Sequence, residues 1–262
     1  MSPTRRSLRE MRGFVFDLDG CVWTGEVLMP GAAETLGHIR QQGKSLCFLT
    51  NNSRARARTM QGKLARLGVE AKEAEVLTPL EILGEVVAQR WGRCPVLAIG
   101  GPEVAEVLRE AGHTVVPIGA AGEAKVVVVG NDFDFTYERL TAAARAVAGG
   151  AVFVTPNIDA RLPLEDGQFL PGCGAIVEAV ATAAGARPIV IGKPEPPLFE
   201  LALQRMGLSV DEAAMVGDSV DSDVRGARRV GMTAVLFAPK GGPDGVAHYV
   251  VKSMAQLRRL LG

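Results

Sequence analysis

The sequence predicts an α/β protein in which a parallel-sheet core is interrupted by an inserted α/β cap. Short apolar runs alternate with helix-period stretches along the 262 residues, a pattern that builds parallel sheets covered on both faces. Hydrophobic residues make up 47% of the chain, enough for a large core and too many for disorder. Polar clusters sit at predicted strand ends in the two outer parts, while the stretch from about Thr78 to Arg187 reads as an α/β unit in itself.

Taken in order, strands are expected at 13–17, 44–50, 95–99, 114–117, 125–130, 151–155, 188–192, 213–217, 233–237 and 248–251. Between them, Ala32, Leu36 and Ile39 recur at helical spacing over 31–42, and Gly43 ends the run. Met60, Leu64 and Leu67 do the same over 55–67, before Gly68. Similar periodicity marks 136–148, 173–184, 196–206, 220–230 and 253–261. Prolines in LTPL (77–80) and ARPIV (186–190) mark non-helical crossings. The core is therefore read as 1–78 plus 188–262, and the cap as 79–187.

Ligands of open α/β sheets bind beyond the carboxyl ends of the strands. There the sequence places DLDG (17–20), TNNS (50–53), GKPEP (192–196) and GDSVDSD (217–223). Each alone has a plain reading: a solvated turn, an Asn turn leading to a helix cap, an exposed lysine before proline, an acid-rich helix start. Asp17 and Asp19 pose the sharpest question, because two carboxylates one residue apart repel and titrate together. At equivalent strand ends the four clusters share one chemistry. Carboxylates need a divalent cation, and an all-oxygen ligand set suits Mg²⁺. Lys193, Thr50 and the amides of 50–52 can hold an anion. The combination points to phosphoryl transfer.

Lys plus Arg equals Asp plus Glu at 29 each, so there is no global basic field for nucleic acid. Cys21, Cys47, Cys94 and Cys173 form no C-x-x-C pair and read as reduced thiols. The charged start MSPTRRSLREMRG has no signal-length apolar stretch, and no apolar run approaches a membrane span. A soluble cytoplasmic protein with no membrane or nucleic-acid partner is expected. His38, His113 and His248 show no ligand spacing, GCG (172–174) lacks a third dinucleotide-binding glycine, and KGGPDG (240–245) reads as a surface turn.

The order DLDG, TNNS, GKP, GDSVDSD resembles the haloacid dehalogenase (HAD) superfamily. The insert position, with GNDFDFTYERL (130–140), TPNIDARLP (155–163) and LPGCGAIVEAV (170–180), resembles its class IIA branch of NagD-like and 4-nitrophenylphosphatase-like phosphatases. The resemblance runs from about Arg12 to the C-terminus. It implies a Rossmann-like core with a mobile cap, and a phospho-aspartyl mechanism on small phosphate esters. Asp17 would be the nucleophile and Asp19 the general acid, then base. Mg²⁺ would be held by Asp17, the backbone carbonyl of Asp19 and Asp218, with Asp223 in support. Thr50, Asn51, Asn52 and Lys193 would bind the phosphoryl group. An intact Asp19 favours ester hydrolysis over dehalogenation. Ser222 stands where the family usually has threonine, and Cys21 where Thr or Val is common.

By the same resemblance, Asn131, Phe133 and Asp134 lie in a specificity loop, with Asn131 where a bulky apolar residue is more usual. The substrate implied is a polyol, sugar or nucleoside phosphate, and an inward Asp134 would favour polyol or sugar phosphates over carboxylated ones; equally, Asp134 could cap the helix starting near Thr136. A homodimer through the cap is compatible with the family. Competing readings are a phosphotransferase of the same superfamily and a receiver-like phospho-Asp signalling module.

Overall fold

The computed structural model describes residues 7–164, 168–243 and 245–262. Residues 1–6 of the charged start and Asp244 of the 240–245 turn lie outside the described residues. The chain divides into two units. The first comprises the chain up to Thr50, Ala57–Leu77 and Lys193–Gly262; the second comprises Asn51–Arg56 and Thr78–Gly192.

In the first unit a parallel sheet runs in the order Tyr249–Val251, Thr233–Phe237, Ala213–Gly217, Gly13–Phe16, Ser45–Leu49, Val76–Leu77. Phe14, Val15 and Phe16 are all fully buried, as expected of a central strand covered on both faces. This strand is also the point where the order reverses: the chain builds outwards from it to one side, then returns to build the other. Ligand crevices form at such switch points. Helices Ala32–Gln41, Ala57–Arg66, Pro196–Met206, Arg225–Val230 and Met254–Leu261 complete this unit. The helix expected at 220–230 begins instead as a π-turn over Val220–Val224 before becoming α at Arg225. A short hairpin pairs Trp23–Thr24 with Val27–Leu28, which the sequence reading did not contain.

The second unit has its own parallel sheet, ordered Ile189–Val190, Val152–Thr155, Val126–Val129, Pro95–Ile99, Thr114–Val116. Its alternate residues feed two cores. Leu97, Ile99, Val127, Val129 and Phe153 meet helices Tyr137–Ala148 and Cys173–Ala184. Val96, Val126, Val128 and Val154 meet helices Leu80–Trp91 and Pro102–Glu110. The reading that joined residues 188–192 to the catalytic core is corrected here. Ile189 and Val190 pair with Val154 and Thr155, so this strand closes the second unit's sheet.

Helices Leu80–Trp91 and Pro102–Glu110 were absent from the sequence expectations. Gly84 sits in the first of them and weakens its pattern by intrinsic preference. The packing explains its presence: a Cβ at Gly84 would lie 2.6 Å from the Val107 carbonyl oxygen and the Ala111 methyl. In an open helix Gly→Ala would stabilise by about 1 kcal/mol. Here the helix contact reverses the sign. Gly84→Ala is expected to destabilise by about 1–3 kcal/mol, as for an overpacked core, measured as a lower urea midpoint with unchanged slope.

Candidate active site

Asp17 follows the central strand, its backbone N–H still bonded to the Val216 carbonyl at 2.8 Å. The side chain is 6% exposed. Lys193, 1% exposed, donates to Asp17 Oδ1 at 2.5 Å, to Asp223 Oδ1 at 2.7 Å and to the Leu49 carbonyl at 3.0 Å. An ammonium has three protons, and all three are placed. Asp223 is itself 1% exposed and takes a second bond, from the Ser219 N–H to its Oδ2 at 3.0 Å. The π-turn makes this local loop: Asp223 turns back onto the backbone of Ser219, whose hydroxyl accepts the Ser222 N–H. Lys193 therefore reaches the cluster from the segment ahead of helix Pro196–Met206, not from the end of a core strand.

Two glycines bring the acids close to the backbone. A Cβ at Gly217 would lie 2.2 Å from Asp223 Oδ2. One at Gly20 would lie 2.3 Å from Asp218 Oδ2, and Gly20 also holds a φ of +93°. Oxygen atoms of Asp17, Asp218 and Asp223 all fall within 4.8 Å of one another. Asp218 is exposed at the rim, yet enough protein surrounds its carboxyl that desolvation, then Asp223, pushes its pKa up to about 7.

Charge accounting shows what the cluster lacks. Burial would favour loss of the Lys193 proton, but Asp17 and Asp223 outweigh it and hold the lysine above its ordinary range. Asp17 is nevertheless pushed well above the ordinary carboxylate range, first by burial and then by Asp223 and Asp218, against the pull of Lys193. One lysine does not neutralise three acids. The excess negative charge, the all-oxygen donors and their mutual spacing fit a small divalent cation.

Asp19 is turned away from this cluster. Its Oδ1 accepts the Trp23 indole N–H at 2.8 Å, and its Oδ2 accepts the Thr50 hydroxyl at 3.3 Å. Its side chain is not among the clustered acids. Trp23 has no role in the sequence reading; its place four residues after Asp19, at the start of a short hairpin, was the available signal.

Of the other expected anion ligands, Thr50 belongs to the first unit, while Asn51 and Asn52 belong to the second. There the Asn51 carbonyl accepts from Asn157 Nδ2 at 2.6 Å, and Asn52 Oδ1 accepts the Arg54 N–H at 2.8 Å, an Asn turn. Asn131 is buried, bonded through its N–H to Ser53 Oγ and through its carbonyl to the Gly101 N–H. Phe133 is 56% exposed, with the Arg54 guanidinium 3.6 Å from its ring centre. Phe133 and Asp134 help line a cavity of about 350 Å³ with Arg54, Arg109 and Arg139. The alternative that Asp134 caps the following helix is corrected: Thr136 is the cap, accepting the Arg139 N–H, and the Asp134 N–H donates to Asp132 Oδ1. Cys21 is buried and its thiol pKa is pushed up by burial, then by Asp17, which leaves it inert.

Residues 14–114 match the family described as haloacid dehalogenase-like hydrolase, and residues 190–241 match the related HAD-hydrolase-like family. Chronophin of Mus musculus is 33% identical over 276 residues, covering 97% of this chain and 94% of its own. The 4-nitrophenylphosphatase of Thermotoga maritima superposes with a TM-score of 0.86 at 28% identity, covering 97% of this chain and 99% of its own. A glycerol phosphate phosphatase of Mycobacterium tuberculosis, solved in complex with magnesium, gives 0.86 at 28% identity, over 99% and 81%. Among the described residues of the present chain, no helix is long and apolar enough to cross a membrane.

Removing Lys193 would leave buried carboxylates without their counter-ion. Lys193→Met is expected to destabilise the protein by about 3–5 kcal/mol at neutral pH. The loss should shrink as pH falls and the acids take up protons, which urea unfolding across pH would measure.

Proposed function

The chain belongs to the haloacid dehalogenase-like hydrolases, and from that premise we propose that it is a phosphatase that hydrolyses small phosphate monoesters with Mg²⁺, through a phospho-aspartyl intermediate on Asp17. The observation that carries this reading is the buried acidic excess around Lys193, with Asp19 held beside it on a different set of bonds. Asp17, Asp218, Asp223 and the backbone carbonyl of Asp19 would hold the cation. When bound, the cation supplies positive charge against both the carboxylates and the phosphoryl oxygens.

The chain's own groups divide the work. Lys193 fixes the orientation of the Asp17 carboxylate, which is what a weak nucleophile needs. An oxygen of Asp17 forms the bond to phosphorus as the bond to the leaving oxygen breaks, and Asp19 delivers a proton to that oxygen. Asp19 then accepts a proton from water as the water oxygen attacks phosphorus, which frees Asp17 and inorganic phosphate. Thr50 stands between the two roles: its N–H is committed to the Leu77 carbonyl, and its hydroxyl faces Asp19. The substrate class we favour is a polyol or sugar phosphate. Its support is the likeness to a glycerol phosphate phosphatase.

Phosphate release from 4-nitrophenyl phosphate and from glycerol phosphate tests the reaction. With Mg²⁺ both are expected to turn over, EDTA is expected to stop both, and Asp17→Asn is expected to cost roughly a thousandfold or more. Full activity in Asp17→Asn, or turnover in EDTA, refutes the mechanism.

The pKa of about 7 at Asp218 gives a second expectation. A metal takes the ionised carboxylate, so below about pH 7 binding must first displace a proton. Mg²⁺ affinity, measured by calorimetry on the metal-free protein, should fall as pH drops through 7. Asp218→Asn should weaken that dependence without removing it, because the Asp17 carboxyl is also pushed up by burial.

A further inference from the structure

Trp23 is fully buried, and so reads first as a core residue. Its indole nitrogen is nonetheless spent on Asp19 Oδ1, at 2.8 Å. The loop between them is already closed by backbone bonds: the Gly20 N–H donates to the Trp23 carbonyl at 2.7 Å, and the Trp23 N–H to the Leu18 carbonyl at 3.1 Å. The side-chain bond is therefore not needed to form the turn. The ring is also covered by Lys63, whose Nζ lies 4.7 Å from the ring centre. The same ammonium donates to the Gly25 carbonyl at 2.7 Å and pairs with Glu26 at 3.1 Å, which ties down the turn of the hairpin that Trp23 opens.

An indole N–H can donate but never accept. It occupies Oδ1 at 2.8 Å, whereas Oδ2 accepts only the longer 3.3 Å bond from the rotatable Thr50 hydroxyl, which makes Oδ2 the freer oxygen to exchange protons with the substrate. We propose that Trp23, braced by Lys63, is a positioning residue that fixes the rotation of the Asp19 carboxyl and so directs its Oδ2 to the leaving group. This rests on the reading of Asp19 as the acid that protonates the leaving oxygen. In that step the phosphorus–oxygen bond breaks and its electron pair takes the proton from Oδ2.

The test separates positioning from packing. Trp23 is replaced site-specifically by benzothienylalanine, which keeps the ring's shape and has no N–H, and, in a second variant, by Phe. Each is assayed with Mg²⁺ on glycerol phosphate, whose alkoxide needs a proton to leave, and on 4-nitrophenyl phosphate, whose phenolate does not. The benzothienyl variant should keep the wild-type Tm and KM while kcat for glycerol phosphate falls roughly 10- to 100-fold, as for a misdirected catalytic group. Its kcat for 4-nitrophenyl phosphate should change far less. Trp23→Phe should show the same split with a lowered Tm.

Wild-type kcat on glycerol phosphate in the benzothienyl variant, or an equal loss on both esters, overturns the inference. Asp19→Asn is the control. If it too spares neither ester selectively, the acid role itself has failed; if it shows the split and the benzothienyl variant does not, only the role of Trp23 has failed.

Discussion

Three segments of the first unit meet at one ammonium group. Lys193 takes Asp17 from the central strand, the Leu49 carbonyl from the strand beside it and Asp223 from the π-turn. Buried ion clusters of this kind are seldom the cheapest way to stabilise a fold, since an apolar replacement of like volume often does as well. What they do supply is a fixed geometry. With all three protons of the ammonium committed, Asp17 and Asp223 are held in place, and the negative charge left over is the property that suits the site to a divalent cation.

Much of this was legible from the chain, because the chemistry falls on residue types with few alternative uses. Asp17, Asp218 and Asp223 follow apolar runs that join one parallel sheet, which places their ends on one edge; Lys193 also follows an apolar run, but that run belongs to the other sheet. The errors have physical causes. Residues 188–192 form an apolar run before a motif, and sequence pattern alone does not say which sheet a strand joins; pairing with Val154 and Thr155 decided it. Gly84 hid a helix because its value lies in a neighbour's backbone, which no local pattern reports. Asp134 looked like a helix cap, but Thr136 was the better placed acceptor. Trp23 was invisible as a partner of Asp19, because a buried tryptophan is expected in any core and its N–H shows only in three dimensions.

The glycines at 20 and 217 show how closely the acids are packed against the main chain. In each case the space of a single methyl is taken by an oxygen of Asp218 or Asp223. Side chains that pack against bare backbone lose rotational freedom, so part of the ordering needed for phosphoryl transfer is already present before substrate arrives.

The central strand has one further property, visible in its partners. Gly13–Phe16 pairs on one side with Ser45–Leu49 and on the other with Ala213–Val216. A ribosome delivers the first partner early and the second near the end of synthesis. Until then Phe14, Val15 and Phe16, buried in the finished protein, have one open edge. The second unit, largely one continuous stretch from Thr78 to Gly192, can fold in that interval. The site matures in the same order: Asp17, Asp19 and Thr50 emerge first, while Lys193, Asp218 and Asp223 come with the last strands. The nascent chain therefore carries Asp17 with neither its lysine nor its full set of neighbouring acids until the sheet is closed.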